Sequence, residues 1–208
     1  MTLLFESDTI QVVDFGGNRF VATRGKNGLM QGGMKHGSPS AAAPCEYLER
    51  MIETLWINRP REILILGLGG GTLVKAAVEI CPQARITVIE KDHSMVRAAI
   101  QYFDVPDDHP RLLIIKGEAE KELQRFDRGT FNLILCDVAD DNGSLEVFFS
   151  ARAIKFLRTL LLPRGLLCMN FYRPKHRITS FDILPSEWSH VETEDLKSGN
   201  KIFRLYVS

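Results

Sequence analysis

The sequence predicts an α/β fold: a mostly parallel sheet covered by helices, an antiparallel C-terminal hairpin, and a small N-terminal β-hairpin region. Three observations carry this. Five short apolar runs alternate with stretches of helical periodicity between Glu62 and Phe171. The first run enters a turn made mostly of glycine, Gly67-Leu68-Gly69-Gly70-Gly71, at the start of a helix. The tail carries two further runs separated by Ser198-Gly199-Asn200, a hairpin signal. Strands that are apolar almost throughout are buried on both faces, as in parallel sheets under crossover helices.

The elements follow in order. Ile10, Val12 and Val13 lead into Phe15-Gly16-Gly17-Asn18 and then Arg19-Phe20-Val21-Ala22, a hairpin whose turn residues tolerate positive φ. Residues 32–44, rich in Gly, Ser, Pro and Ala, read as a loop. It divides a region 1–44, hairpin and loop, from an α/β domain 45–208. Residues 45–56 place Tyr47, Leu48, Met51, Ile52 and Leu55 on one helical stripe. Strands are expected at 62–66, 85–89, 112–115, 131–136 and 166–171. Helices are expected at 72–80, 93–103, 118–125 and 145–162, the last ended by Pro163-Arg164-Gly165. Residues 191–196 and 201–207 form the closing hairpin.

The chain of 208 residues suits one domain with a small appendage. Lys and Arg number 26, as do Asp and Glu, so no net field draws the chain to nucleic acid or anionic lipid. The longest apolar run, 63–74, is too short and glycine-rich to span a bilayer. The first residues lack the basic start and apolar stretch of a secretory signal. Cys45, Cys81, Cys136 and Cys168 lie far apart with no C-x-x-C spacing; reduced thiols in a cytoplasmic protein are expected, with no metal site.

Four groups of residues point to chemistry. In the glycine turn, Gly67, Gly69 and Gly71 let the chain turn sharply and let a ligand approach backbone with no Cβ between. The third glycine of a dinucleotide cradle would fall at Thr72, so the spacing favours a nucleoside over a pyrophosphate. About 20 residues on, Glu90 ends the second strand, where a carboxylate can accept from two vicinal ribose hydroxyls. Glu118, in Gly117-Glu118-Ala119 after the third strand, can accept from an adenine amino group. Asp137 and Asp140 follow the fourth strand, at the carboxyl edge where open α/β sheets bind ligands. Such a pair can hold a cationic amine and take its proton. The competing reading makes Asp140, Asp141 and Asn142 caps of the next helix.

Together these segments resemble the spermidine synthase family of polyamine aminopropyltransferases. Asn27-Gly28-Leu29-Met30-Gln31 is similar to that family's L-D-G-x-x-Q segment, and Tyr47-Leu48-Glu49-Arg50-Met51 to its Y-x-E-x-M/L helix. Residues 67–73 stand where the family has G-G-G-D-G-G-T-L, and Asp137-Val138-Ala139-Asp140 where it has D-S-S/T-D. The resemblance implies a Rossmann-like class I methyltransferase fold and a homodimer. It also implies a decarboxylated S-adenosylmethionine donor and an amine acceptor. Asp137 would be the base, with Asp140, Gln31 and Tyr47 at the substrate. Gly67, Gly69, Gly71, Glu90 and Glu118 would hold the donor.

Three departures stand against this pattern. No aspartate interrupts the glycine run, Ala43-Pro44 replace an upstream D-E pair, and a long C-terminal P-T-Y-P-type segment is missing. In the family that first aspartate pairs with the donor's terminal amine and repels the carboxylate of intact S-adenosylmethionine; restoring it at Gly70 is expected to shift donor preference. Three functions therefore remain open: aminopropyl transfer to an amine, methyl transfer from intact S-adenosylmethionine to an unknown substrate, and non-catalytic nucleoside binding.

Overall fold

The computed structural model describes residues 1–24, 28, 30–36, 45–140, 143–144, 146–172 and 188–208. Four strands form an N-terminal antiparallel sheet in sequence order: β1 (Thr2–Glu6), β2 (Ile10–Phe15), β3 (Asn18–Thr23) and β4 (Met30–Lys35). The main unit follows with α1 (Glu46–Asn58), β5 (Glu62–Leu66), α2 (Thr72–Ile80), β6 (Arg85–Glu90) and α3 (His93–Tyr102). It continues through β7 (Leu112–Lys116), α4 (Ala119–Glu122) and β8 (Phe131–Cys136). A two-residue pair, β9 (Ala139–Asp140) with β10 (Gly143–Ser144), precedes α5 (Ala151–Leu160). Then come β11 (Leu161–Tyr172), β12 (His190–Asp195) and β13 (Asn200–Tyr206).

The large sheet has the order β12-β13-β11-β8-β5-β6-β7, with β13 antiparallel to both its neighbours, β12 and β11, and the other pairs parallel. Strand pleating sorts its side chains. In β5, Ile63 and Ile65 pack with residues of α1, α2 and α3, while Leu64 and Leu66 pack with α5 and the α4 turn. All four are fully buried, which explains why this strand reads as unbroken apolar sequence. A third cluster joins the two sheets: Ile10, Val12 and Val21 pack on Met95, Ala98 and Phe103 of the α3 region. Arg19 reinforces the joint, donating to the Tyr102 carbonyl at 3.0 Å while its other donors grip Asp14.

Two expectations are corrected. The segment read as a loop from Gly32 begins as a strand: Gly32 and Gly33 pair with Val21 and Phe20. A Cβ on Gly33 would stand 3.0 Å from the Phe20 ring, a tight contact with a side chain. A Cβ on Gly32 would collide with the Gly70 backbone. Residues 37–44 lie outside the described residues. The helix expected over 145–162 is instead a 3-10 turn (Glu146–Phe149) followed by α5. Ser150 divides them, its hydroxyl accepting from Ala153 N at 3.2 Å as an N-cap. Leu161 already belongs to β11, pairing with Phe131. The reading of Asp140, Asp141 and Asn142 as caps of the next helix falls on the Asp140 side chain and on two residues that lie outside the described residues.

Candidate active site

Winding runs outward in both directions from β5, toward β6 and β7 on one side and β8 and β11 on the other. The connections after β5 and β8 therefore leave the sheet apart, and a crevice opens at their carboxyl ends. A cavity of about 770 Å³ lies there. Its walls include Gly67, Leu68 and Gly69 of the turn after β5, Glu90 of β6, and Asp137 after β8. The N-terminal sheet closes one side with Gln31, and the tip of the β12–β13 hairpin closes another with Ser198 and Asn200.

The glycine turn is fixed by close backbone approaches. Gly67 has φ 87°, and a Cβ there would run into the Asp137 carbonyl oxygen. Gly69 has φ 51°, and its Cβ would run into the Gln31 carbonyl oxygen. These are left-handed conformations that L side chains resist. Gly71, expected to contact ligand, does not line the cavity: at φ 71° it precedes α2, and a Cβ would strike the Val105 side chain. Its glycine serves packing. Gly70 also lies outside the cavity wall. A Cβ there would face Phe103 Cδ1 at 3.3 Å and Gly32 Cα at 3.4 Å.

Glu90 sits in the cavity wall and binds backbone with both oxygens. Leu68 N donates to Oε2 at 2.9 Å and Asp92 N donates to Oε1 at 2.8 Å. Burial raises its pKa, and these two donors oppose the rise. Each oxygen keeps a further lone pair for a ligand hydroxyl. Asp92 lines the cavity too and caps α3, accepting from Ser94 N at 2.8 Å. Glu118, expected at an adenine amino group, has its carboxylate mostly exposed and paired with Lys121, which lowers its pKa. Gly117, Ala119 and Glu120 line the cavity around it, and Glu118 does not.

Asp137 occupies the opposite wall. Asn170 Nδ2 donates to its Oδ1 at 2.8 Å, and the Tyr47 hydroxyl also hydrogen-bonds to it. Burial lifts its pKa above the ordinary aspartate value, with those two hydrogen bonds pulling the other way. Tyr47 is pushed well up, chiefly by burial, so its hydroxyl stays protonated and available to donate. Cys45, in the same wall, is pushed up to about 11 by burial and stays a thiol. Asp140 is described by its backbone alone, paired with Gly143 in β9; its side chain lies outside the described residues.

Gln31 carries an unspent donor: its Nε2 is buried with no hydrogen-bond partner among the described residues. Leaving such a group unpaired costs about 1–3 kcal/mol, which a ligand oxygen would recover. Sequence reading missed Asn170, Ser198 and Asn200. Asn170 had a signal, a polar residue at the carboxyl end of an otherwise apolar strand. Ser198 and Asn200 read only as turn residues, and the cavity they line is made by folding. Among the described residues no cluster of His, Cys, Asp and Glu is arranged to hold a metal ion, and no helix is long and apolar enough to cross a membrane.

A sheet of this order, with a glycine turn after its first parallel strand and a carboxylate at the end of the next, defines a Rossmann-like fold of the methyltransferase type. Residues 48–185 match the spermine/spermidine synthase domain, and the chain belongs to that family. It is 31% identical over 117 residues to an eEF1A lysine and N-terminal methyltransferase homolog of Drosophila melanogaster, covering 53% of this chain and 17% of the relative. It is 24% identical over 127 residues to a polyamine aminopropyltransferase of Chromobacterium violaceum, covering 61% of this chain and 48% of the relative. The chain thus spans less than half the length of either. Human methyltransferase-like protein 13, solved in complex with SAH, shares the fold with a TM-score of 0.68 at 20% identity. That match covers 79% of this chain and 83% of the solved chain.

Proposed function

We propose that this chain is a transferase that holds an S-adenosyl sulfonium donor and moves a carbon group onto an amine nitrogen. Family membership makes aminopropyl transfer from decarboxylated S-adenosylmethionine the first reading. The observation that carries it is Asp137: a carboxylate in the cavity wall, held by Asn170 and Tyr47, with its pKa raised by burial. A carboxylate so tuned is a stronger base than an exposed aspartate.

Glu90, the backbone of Gly67 and Gly69, and the unpaired amide of Gln31 would hold the nucleoside. The donor supplies an electrophilic carbon on sulfur and leaves as a neutral thioether. Asp137 accepts the proton that the acceptor nitrogen sheds as its lone pair forms the new bond. Asp140 is assigned to the amine, with Tyr47 beside it.

Methyl transfer from intact S-adenosylmethionine is the second reading, and one observation favours it. The turn carries no acid, and Gly69, where it meets the cavity, has no room for a side chain. The test is calorimetric titration with both donors, followed by mass analysis of candidate amines incubated with the better one. Gain of an aminopropyl group supports the first reading and gain of a methyl group the second. Neither product from any amine tried, with firm donor binding, would leave a nucleoside-binding protein.

A cytoplasmic, homodimeric state with small-molecule partners belongs to the same proposal. Light scattering at micromolar concentration should give twice the chain mass; a monomer would remove the dimer.

A further inference from the structure

The hairpin between β12 and β13 reaches back over the carboxyl edge of the sheet. Its turn is closed by Leu196 N donating to the Asn200 carbonyl at 2.8 Å and Gly199 N donating to the Leu196 carbonyl at 3.0 Å. This geometry delivers Ser198 and Asn200 to the cavity wall. From there a directed chain of hydrogen bonds runs to Asp137. Ser198 Oγ donates to Asn200 Oδ1 at 2.9 Å, and Asn200 Nδ2 donates to Asn170 Oδ1 at 2.9 Å. Asn170 Nδ2 then donates to Asp137 Oδ1 at 2.8 Å. Asn170 and Asn200 are two of the few buried polar side chains among the described residues, 5% and 7% exposed.

Direction is the important property. A carboxamide presents an acceptor on one side and two donors on the other. Rotated by half a turn, Asn170 would aim its oxygen at the Asp137 carboxylate and repel it. Asn200 blocks that rotation, because its own N–H₂ already faces the Asn170 oxygen. Ser198 holds Asn200 in the same sense.

We propose that Asn200 is a positioning residue for Asp137: acting through Asn170, it keeps a hydrogen-bond donor aimed at the carboxylate that receives the acceptor's proton. The last clause rests on the reading of Asp137 as base; the relay itself does not. The groups around Asp137 leave its titration legible. Cys45 and Tyr47 at the start of α1, Cys136 on β8 and Cys168 on β11 are all pushed upward by burial and stay neutral through neutral pH. Glu90 and Lys91 line the cavity from the β6 side, and Arg204 on β13 lies among the groups acting on Cys168.

The test follows the Asp137 carboxyl carbon by NMR as pH is varied, which requires no substrate. Asn200→Leu, similar in size with no donor, should raise the midpoint by about half a pH unit, roughly threefold in proton affinity. In an Asn170→Leu background the same change should move it by less than about a third of that, because the route through Asn170 is gone. An unmoved midpoint in a folded Asn200→Leu protein overturns the proposal. So does an equal shift in both backgrounds, which would make Asn200 a matter of packing. Should Asn200→Leu fail to fold, the wild-type protein still decides: the side-chain N–H₂ signals of Asn170 and Asn200 should both move at the Asp137 midpoint, and a flat Asn200 signal overturns the relay. A positive result with no transfer to any amine would sink the function and spare the relay.

Discussion

Glu90 and Leu68 are joined by a hydrogen bond of 2.9 Å, from the Leu68 N–H to Glu90 Oε2, that ties the end of β6 to the turn after β5. The acid proposed to hold the nucleoside is therefore also the acid that holds the glycine turn in shape. Binding and local structure cannot be separated at this residue.

Glu90→Ala should accordingly do two things. Nucleoside binding should weaken by about 1.5–3 kcal/mol, the usual worth of hydrogen bonds to a charged group, or roughly ten- to a hundredfold. The melting temperature should fall as well, because Leu68 N and Asp92 N both lose their acceptor. Calorimetry and thermal melts on the same protein read both effects. Full affinity in a folded variant would remove Glu90 from the site.

Gly69 offers a second lever. Its positive φ and the Gln31 carbonyl beside it mean that Gly69→Ala carries a backbone penalty of about 1–2 kcal/mol before any ligand is considered. Gly69→Val adds a branched carbon and should lose nucleoside binding altogether. Gly70→Ala, with no positive φ, should be milder. Wild-type affinity in Gly69→Val would contradict a backbone cradle at this turn.

Asp137 should show the tension between stability and activity. Its pKa in the folded chain is raised above the ordinary value. The stability it contributes is thus fully present below the unfolded pKa and is lost as pH rises through the folded pKa. Asp137→Asn should therefore melt higher than wild type at pH 8, by about 2–4 °C for each kcal/mol relieved, and match it near pH 4. Transfer in the wild type should fall as pH drops through the same pKa, and the variant should transfer nothing. Melting curves that differ equally at both pH values would argue against an unfavourable buried charge.

Donor choice follows from the acid-free turn. Unit charges 4 Å apart interact by about 4 kcal/mol at an effective dielectric near 20, so an aspartate there would strongly disfavour a donor carboxylate. Without it, intact and decarboxylated donors should bind within about tenfold of each other. Restoring an acid at Gly70 is a poor test, since that position faces Phe103 and Gly32. Titrations of the wild-type protein decide it: a preference above about a hundredfold for the decarboxylated donor would reject an unselective pocket.

Much of this was legible in the chain itself. The strands 62–66 and 131–136 and the helix 72–80 stand where periodicity put them, because fully buried strands leave unbroken apolar runs and an amphipathic helix leaves a stripe. Glu90 and Asp137 stand in the cavity wall because the carboxyl end of a parallel strand is a fixed place relative to the sheet. The tertiary structure decided the rest. Gly71 packs against Val105 and Glu118 pairs with Lys121 outside the cavity, distinctions that depend on where side chains point and what stands beside them. That residues near Gln31 form a strand pressed on the glycine turn depends on glycines meeting across 38 positions, from Gly32 to Gly70. Asn200 reaches Asp137 through Asn170 only because an antiparallel hairpin folds its turn back over the sheet's edge. Local sequence sets the periodicity and turn chemistry of each element. Which polar atoms meet is set by long-range packing, where a hydrogen bond of fixed direction joins residues that share no local pattern.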